Sequence, residues 1–508
     1  MSPLELGLIG HFDNYEFPEV LNLNYCLNMK NFNIKGRRTI YWMTSLFLAL
    51  FYMSCSDDGI SPSAILINAA PYDPSQPIEI TNFTPDSGGL GQRMVIYGKN
   101  FGNNPDSIQV YIGGQKAKVI GVQGESIYCL VPRKAFSGAV EIYMGKKQPD
   151  QEPLASSEKL FKYQRKTIVS TLVGYKNERD DQGWNPGKFD EATGFAQACI
   201  MNYDPLDPKR LFISYDNGPG IYTIDFSDST VNKVIDGSAV SNQSRLRGVS
   251  FTRDGQYMVV GHSQGNVNNP AVSIMSRANG FTDPQVLIRA RGNQGVAIHP
   301  QDGQLYFCEF QTGTLRRYDI ENSQRLGGTL GVTDYEDLFS IQDINWEFYL
   351  VCHPTGNYAY IMVLNQHYIL RTDYDWENKR FKTPYRVAGE PRVAAYADGV
   401  GTSARFNTPY GGVFVKNPDY AGREDEYDFY IADRHNHAVR VLKPDGRVDT
   451  FAGRGSSSLD SNPYGYVEGD VRLEARFNQP TGIAYNESEG AFYIADLQNR
   501  CIRKIEAE

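Results

Sequence analysis

Phe429-Tyr-Ile-Ala-Asp-Arg-His-Asn-His-Ala-Val-Arg440 and Phe492-Tyr-Ile-Ala-Asp-Leu-Gln-Asn-Arg-Cys-Ile-Arg503 are two copies of one unit, and the residues C-terminal to each copy decide the fold. The first runs on into Gly446-Arg-Val-Asp-Thr-Phe-Ala-Gly453, which reads as one more strand. The second stops at Lys504-Ile-Glu-Ala-Glu508 and lacks it. A substitute lies far upstream, in Lys166-Thr-Ile-Val-Ser-Thr-Leu-Val-Gly174. A strand from the start of an array that completes its last repeat closes the array and removes its exposed sheet edges. Residues 165–508 are therefore expected to form a closed β-propeller whose last blade is completed by an N-terminal strand.

Weaker copies lie upstream. Gly295-Val-Ala-Ile-His-Pro-Gln-Asp-Gly-Gln-Leu-Tyr-Phe-Cys308 has the same grammar of apolar strand, Asp-Gly turn and aromatic-rich strand. Segments 248–261, 349–362 and, more loosely, 199–213 repeat it. Turns of this type suit hairpins, and the Tyr, Val, Ile and Phe of the runs suit strands. Repeats of about 40–50 residues with four strands each are propeller blades. The count is six, or seven if a long loop hides one. Tyr430-Ile-Ala-Asp-Arg-His-Asn-His-Ala-Val-Arg440, with Ala404-Arg-Phe-Asn-Thr-Pro409 and Val387-Ala-Gly389, resembles the NHL repeat family, specifically so over 385–508.

The N-terminal part reads as an address. Lys35-Gly-Arg-Arg38 precedes the apolar run Tyr41–Met53, which ends at Ser54-Cys55. A basic segment, a short apolar segment and a small residue describe a secretory signal. Met53-Ser-Cys55 resembles a bacterial lipobox, which implies lipidation at Cys55 and a membrane anchor. Ser56-Asp-Asp58 resembles the surface-export signal of Bacteroidota lipoproteins. Met29-Lys-Asn begins a normal signal by itself, so residues 1–28 read as a start-site mis-call and 29–55 as the signal peptide. Residues 56–77, with spaced Pro and Ser, read as a tether.

Residues 78–164 hold short alternating strands that suggest an immunoglobulin-like sandwich. Phe83-Thr-Pro85, Met94–Gly102 and Val131-Pro132 resemble the IPT/TIG family, in which the domain is a spacer or interaction module. The whole is expected to be all-β.

The net charge of −9 leaves no basic footprint for nucleic acid. No phosphate-cradling or nucleophile-elbow motif is present. His299 and His353 precede Pro at matching turns and read as turn residues. His435 and His437 share a strand face, but His437 is the histidine of the repeat motif and reads as packing. Cys129, Cys199, Cys308, Cys352 and Cys501 are dispersed and read as small buried hydrophobes. The acidic run Glu424–Asp428 reads as solvated.

Aromatic residues carry the stronger signal, with 33 Tyr and 26 Phe. A sugar site needs an exposed aromatic face beside hydroxyl-bonding groups. Three loops in equivalent positions contain Trp184, Tyr396 and Tyr466, with Tyr464 in the last; by register they share one rim. Trp376 is a further exposed candidate, whereas Trp346 reads as core. The architecture resembles Bacteroidota IPT/TIG plus NHL-repeat surface lipoproteins. That resemblance implies a non-catalytic outer-membrane lipoprotein that captures polysaccharide or oligosaccharide for a glycan importer, without cofactor. Two alternatives stand beside it. One is a protein-interaction scaffold at the outer membrane. The other is a propeller lyase or hydrolase with a channel metal, using Asp433 and Asp496.

Overall fold

A computed structural model describes residues 70–508, apart from 133–134, 175–184, 197, 217–219, 241–244, 264, 310, 326–329, 342–346, 457–460 and 508. The signal segment, Cys55 and most of the tether lie outside the described residues, as do Trp184 and Trp346. Among the described residues the chain is all-β. The α-helices among the described residues are the short segments Gly237–Val240 and Ile320–Arg325, and no described helix is long and apolar enough to cross a membrane.

The first part is a two-sheet sandwich. One sheet holds Glu79–Thr84, Arg93–Lys99, Ser126–Leu130 and Lys118–Gln123 in that order; the other is centred on Ile108–Ile112 and Val140–Met144. The strands alternate as the sequence implies: Met94 and Ile96 are buried between exposed Arg93 and Tyr97, and Ile108, Val110 and Ile112 all point inward. Both sheets feed one core, which includes Phe83, Phe101, Ile127, Ile142 and Phe161.

Residues 165–507 build six successive antiparallel sheets among the described residues, each with four main strands, which in the first five run from inner to outer in chain order. The inner strands are Ala198–Asp204, Leu246–Phe251, Asn293–Ile298, Phe348–Cys352, Pro409–Lys416 and Pro480–Asn486. Each meets the next at close range. The Asn202 amide donates to Val249 O, Gly248 faces Val296, and Gly295 abuts the Tyr349 ring. The Tyr349 and Tyr410 hydroxyls are 3.5 Å apart. A Cβ on Gly411 would come within 2.7 Å of Thr481 O, so only glycine permits that approach. Thr481 Oγ1 in turn donates to Ala198 O at 2.7 Å, which brings the sixth sheet against the first. The result is a propeller-like array.

The sixth sheet takes its outer strand from upstream. Thr167–Val173 pairs antiparallel with Cys501–Ala507 in the register Ile168↔Glu506, Val169↔Ile505 and Ser170↔Lys504. The sequence Lys166–Gly174 thus fills the place that Arg447–Gly453 fills in the fifth sheet.

The acidic run at 424–428 is a correction to the sequence reading. Asp425 accepts the Tyr358 hydroxyl at 2.7 Å, and its other oxygen lies 3.3 Å from His353 Nε2. Asp428 is buried and accepts from Asn417 Nδ2 at 2.8 Å. Glu424 stays exposed, but the run leads straight into the strand Tyr427–Asp433, whose packing buries Asp428.

Strand alternation gives the array two distinct ends. Turns between first and second strands, and between third and fourth, lie at one end, the hairpin end. Turns between second and third strands, and the passages from sheet to sheet, lie at the other, the crossover end.

Candidate functional site

The repeat motif itself anchors the crossover loops. Asp433 Oδ1 accepts from the Asn407 N–H at 2.8 Å, and Oδ2 accepts from Asn436 Nδ2 and Arg440 Nη1 at 2.8 and 2.9 Å. Arg440 continues to Arg405 O, Ala397 O and Asp398 Oδ1 at 2.9, 2.8 and 2.7 Å. The sixth sheet repeats the device with Asp496, Asn478, Asn499 and Arg503. Both carboxylates and both guanidinium groups are fully buried. Burial raises Asp433 and Asp496 to about 6 against the pull of their arginines. These aspartates are committed to the repeat and do not reach the array axis.

Tyr396 and Tyr466 complete the same module. The Tyr396 hydroxyl meets Thr450 Oγ1 at 2.8 Å, and its ring faces Arg440 and Arg454 at 5.1 and 3.8 Å. The Tyr466 hydroxyl meets Thr171 Oγ1 at 2.7 Å, and its ring faces Arg503 at 4.9 Å. Thr171 of the upstream strand thus takes the part of Thr450. The two tyrosines are equivalent, as their spacing implies, and each is tied into its own sheet. Tyr396 is half-buried, but Tyr466 keeps 46% of its surface exposed, and Tyr464 keeps 45% with its ring 5.0 Å from His437. His437 Nδ1 accepts the Gln479 N–H at 3.2 Å, which fixes the ring as an inter-sheet tie. Burial lowers it to about 4. His435 Nδ1 is engaged with Thr408 Oγ1 at 2.9 Å, so the two histidines do not converge on a common point. Among the described residues no group of three or more His, Cys, Asp or Glu side chains is arranged to hold a metal.

Trp376 lies at the hairpin end, in the turn after the third strand of the fourth sheet, away from the tyrosine loops. It remains 48% exposed. The structure therefore brings Tyr396, Tyr464 and Tyr466 to one end and places Trp376 at the other.

The array axis holds a cluster that sequence reasoning missed. Cys199 of the first sheet lies between the hydroxyls of Tyr349 and Tyr410, from the fourth and fifth, at 3.0 and 3.1 Å. Beside them buried Arg247 of the second sheet pairs with Asp216 at 2.8 Å and Glu347 at 3.2 Å. Burial pushes the Cys199 thiol up to about 11 and both tyrosines well above their ordinary range. None of the five described cysteines is in a disulfide. Cys199, Arg247, Tyr349, Tyr410 and Thr481 are each the second residue of an inner strand. Aligning those strand starts is the one sequence signal that could have found the cluster. It plugs the axis toward the crossover end.

Below the plug is a chamber of about 190 Å³, walled by all six inner strands. It runs from Tyr349 to Pro300 and Pro354 in the first-to-second turns, so it faces the hairpin end. Ile200, Val296, Ile298, Leu350 and Ile483 line it together with Asn202, Ser250, Tyr349 and Cys352, so its surface is polar and apolar in about equal parts. That volume is below the roughly 300–1,000 Å³ of ordinary ligand clefts.

Fold and repeat together define the class: a TIG domain joined to an array of NHL-type sheets. The IPT/TIG domain family model matches residues 77–163. A 112-residue stretch is 30% identical to human NHL repeat-containing protein 2, covering 22% of this chain and 13% of that protein, so only a small part of the curated relative's length is spanned. Solved structures are similar over far more of the chain. An auxiliary nutrient binding protein from Bacteroides thetaiotaomicron is 41% identical with a TM-score of 0.73, over 86% of this chain and 99% of that one. Another auxiliary nutrient binding protein, from Bacteroides ovatus, is 37% identical with a TM-score of 0.70, over 86% and 100%. A second Bacteroides thetaiotaomicron protein, described as a phosphatase candidate, is 38% identical with a TM-score of 0.71, over 86% and 99%. The chain belongs to the family of these Bacteroides proteins.

Proposed function

We propose that this protein is a non-catalytic nutrient-binding protein whose ligand is a glycan, presented on a closed six-bladed propeller. The observation that carries the reading is kinship across 86% of the chain with two auxiliary nutrient binding proteins. The exposed faces of Tyr464 and Tyr466 at the crossover end support a carbohydrate ligand, since each is held by the sheet below and still open to solvent. Trp184, outside the described residues, belongs to the equivalent loop of the first blade by sequence. Lipidation at Cys55, with the tether and the TIG domain as stem, would hold the propeller at the outer surface of the outer membrane beside an importer. The metal-dependent lyase or hydrolase reading loses its two named aspartates, which are spent on Arg440 and Arg503.

The test is affinity electrophoresis of the full chain in native gels cast with single polysaccharides. Retardation by at least one polymer is expected, weakened by Tyr464→Ala. Free migration in every gel, together with co-purification of a membrane protein, would replace the glycan reading with the scaffold one.

A further inference from the structure

The hairpin end carries an aromatic surface that the crossover loops do not explain. The turn bearing Trp376 is fixed before any ligand arrives. Asp375 Oδ1 accepts from the N–H groups of Glu377 and Asn378 at 3.1 and 3.2 Å, and Asn378 Nδ2 donates to Asp375 Oδ2 at 3.0 Å. From the third sheet, Arg317 Nη1 donates to Asn378 O and Lys379 O at 3.1 and 2.5 Å. The indole is fixed as well. Its Nε1 donates to Asn357 Oδ1 at 3.2 Å. Its ring meets His299 at 5.5 Å and Tyr374 at 5.0 Å, both near-perpendicular.

The side chain locked in this way still keeps 48% of its surface exposed. Rigidity lowers the entropy lost when something stacks on it. The exposed residues near it include Asn357 and, on its own turn, Glu377, Asn378 and Lys379, with Thr355, Pro354 and Gln301 on the neighbouring turns. Pro354 also lines the mouth of the axial chamber, so indole and chamber share one surface. An aromatic plane edged by amide, carboxylate and ammonium groups that can bond hydroxyls matches a pyranose, with its apolar C–H face and its rim of hydroxyls.

We propose that Trp376, oriented by Asn357, is a stacking platform for a pyranose ring of a polysaccharide. It is a second binding site, at the opposite end of the array from Tyr464 and Tyr466. The proposal rests on the glycan-binding reading and extends it: two sites on one chain let a polymer bind with avidity beyond either alone.

The experiment compares the full chain with Trp376→Ala, Trp376→Phe and Asn357→Ala in gels containing laminarin, xyloglucan, amylopectin, galactan or yeast mannan. Thermal unfolding of each variant checks its fold. Expected is retardation of wild type in at least one gel, with about a tenfold or greater loss of affinity for Trp376→Ala, as for truncation of a central aromatic anchor. Trp376→Phe keeps most of the affinity, because a ring remains, and Asn357→Ala falls between. Equal retardation of wild type and Trp376→Ala overturns the platform and leaves the glycan reading standing. Retardation of Trp376→Ala but not of Tyr464→Ala also overturns it. Free migration of wild type in all five gels overturns both.

Discussion

Replacing Arg440 by Met tests whether the repeat motif is structural. Met has a similar stem and can lie between the rings of Tyr396 and Phe406, which the guanidinium faces at 5.1 and 5.3 Å. It removes four donated hydrogen bonds, to Arg405 O, Ala397 O, Asp398 Oδ1 and Asp433 Oδ2. It also leaves the Asp433 carboxylate buried with only Asn436 Nδ2 and the Asn407 N–H. Breaking a buried pair from one side costs about 3–5 kcal/mol, because the remaining charge is uncompensated. Arg503→Met, in the equivalent place of the sixth sheet, should cost a similar amount. Lys99→Met is the control: its ion pair with Glu79 is equally short at 2.9 Å but exposed on both sides, so its loss should lie within error of wild type. Urea unfolding followed by far-ultraviolet circular dichroism reads all three. If Arg440→Met shifts the midpoint no more than Lys99→Met, the buried module does not hold the loops and the reasoning fails.

Two further predictions concern the latch strand and pH. Val169 is buried against Ile505 in the latch, so Val169→Asp should destabilise the sixth sheet by about 3 kcal/mol or more, and limited proteolysis should cut within 469–507 earlier than in wild type; an unchanged digestion pattern would count against the latch. His262 is fully buried on Ser273 Oγ at 2.9 Å, and burial lowers it from 6.5 to about 4. Its folded value lies below its unfolded one, so its stabilisation is complete above pH 6.5 and is lost as pH falls toward 4, by up to about 1.4 kcal/mol per pH unit. Unfolding midpoints at pH 7 and pH 5 should therefore separate more in wild type than in His262→Gln, and equal separation would refute the assignment.

The fold was readable because its information is local and repeated. The missing strand after Arg503 and its replacement at Lys166–Gly174 could be matched by eye, and the register Val169↔Ile505 agrees with that match. The equivalence of Tyr396 and Tyr466 was legible for the same reason. Their role was not, since it depends on Thr450 and Thr171, one of which lies nearly three hundred residues upstream in sequence. The axial plug was invisible for a related reason: Cys199, Arg247, Tyr349 and Tyr410 come from four sheets and form no motif in any one. The acidic run at 424–428 misled because composition suggests solvation, whereas strand packing buries Asp428. Trp376 stood out as an exposed indole, but only the Asn357 and Arg317 contacts reveal that it is held rigid.

The lyase or hydrolase alternative is the rival that matters most for the central claim of capture without chemistry. The most direct measurement is size-exclusion chromatography of the polysaccharide that retards the full chain, run before and after prolonged incubation with it. Co-elution of protein with polymer, at an unchanged polymer size distribution, is what the account predicts. A shortened polymer, or failure to co-elute, would contradict it.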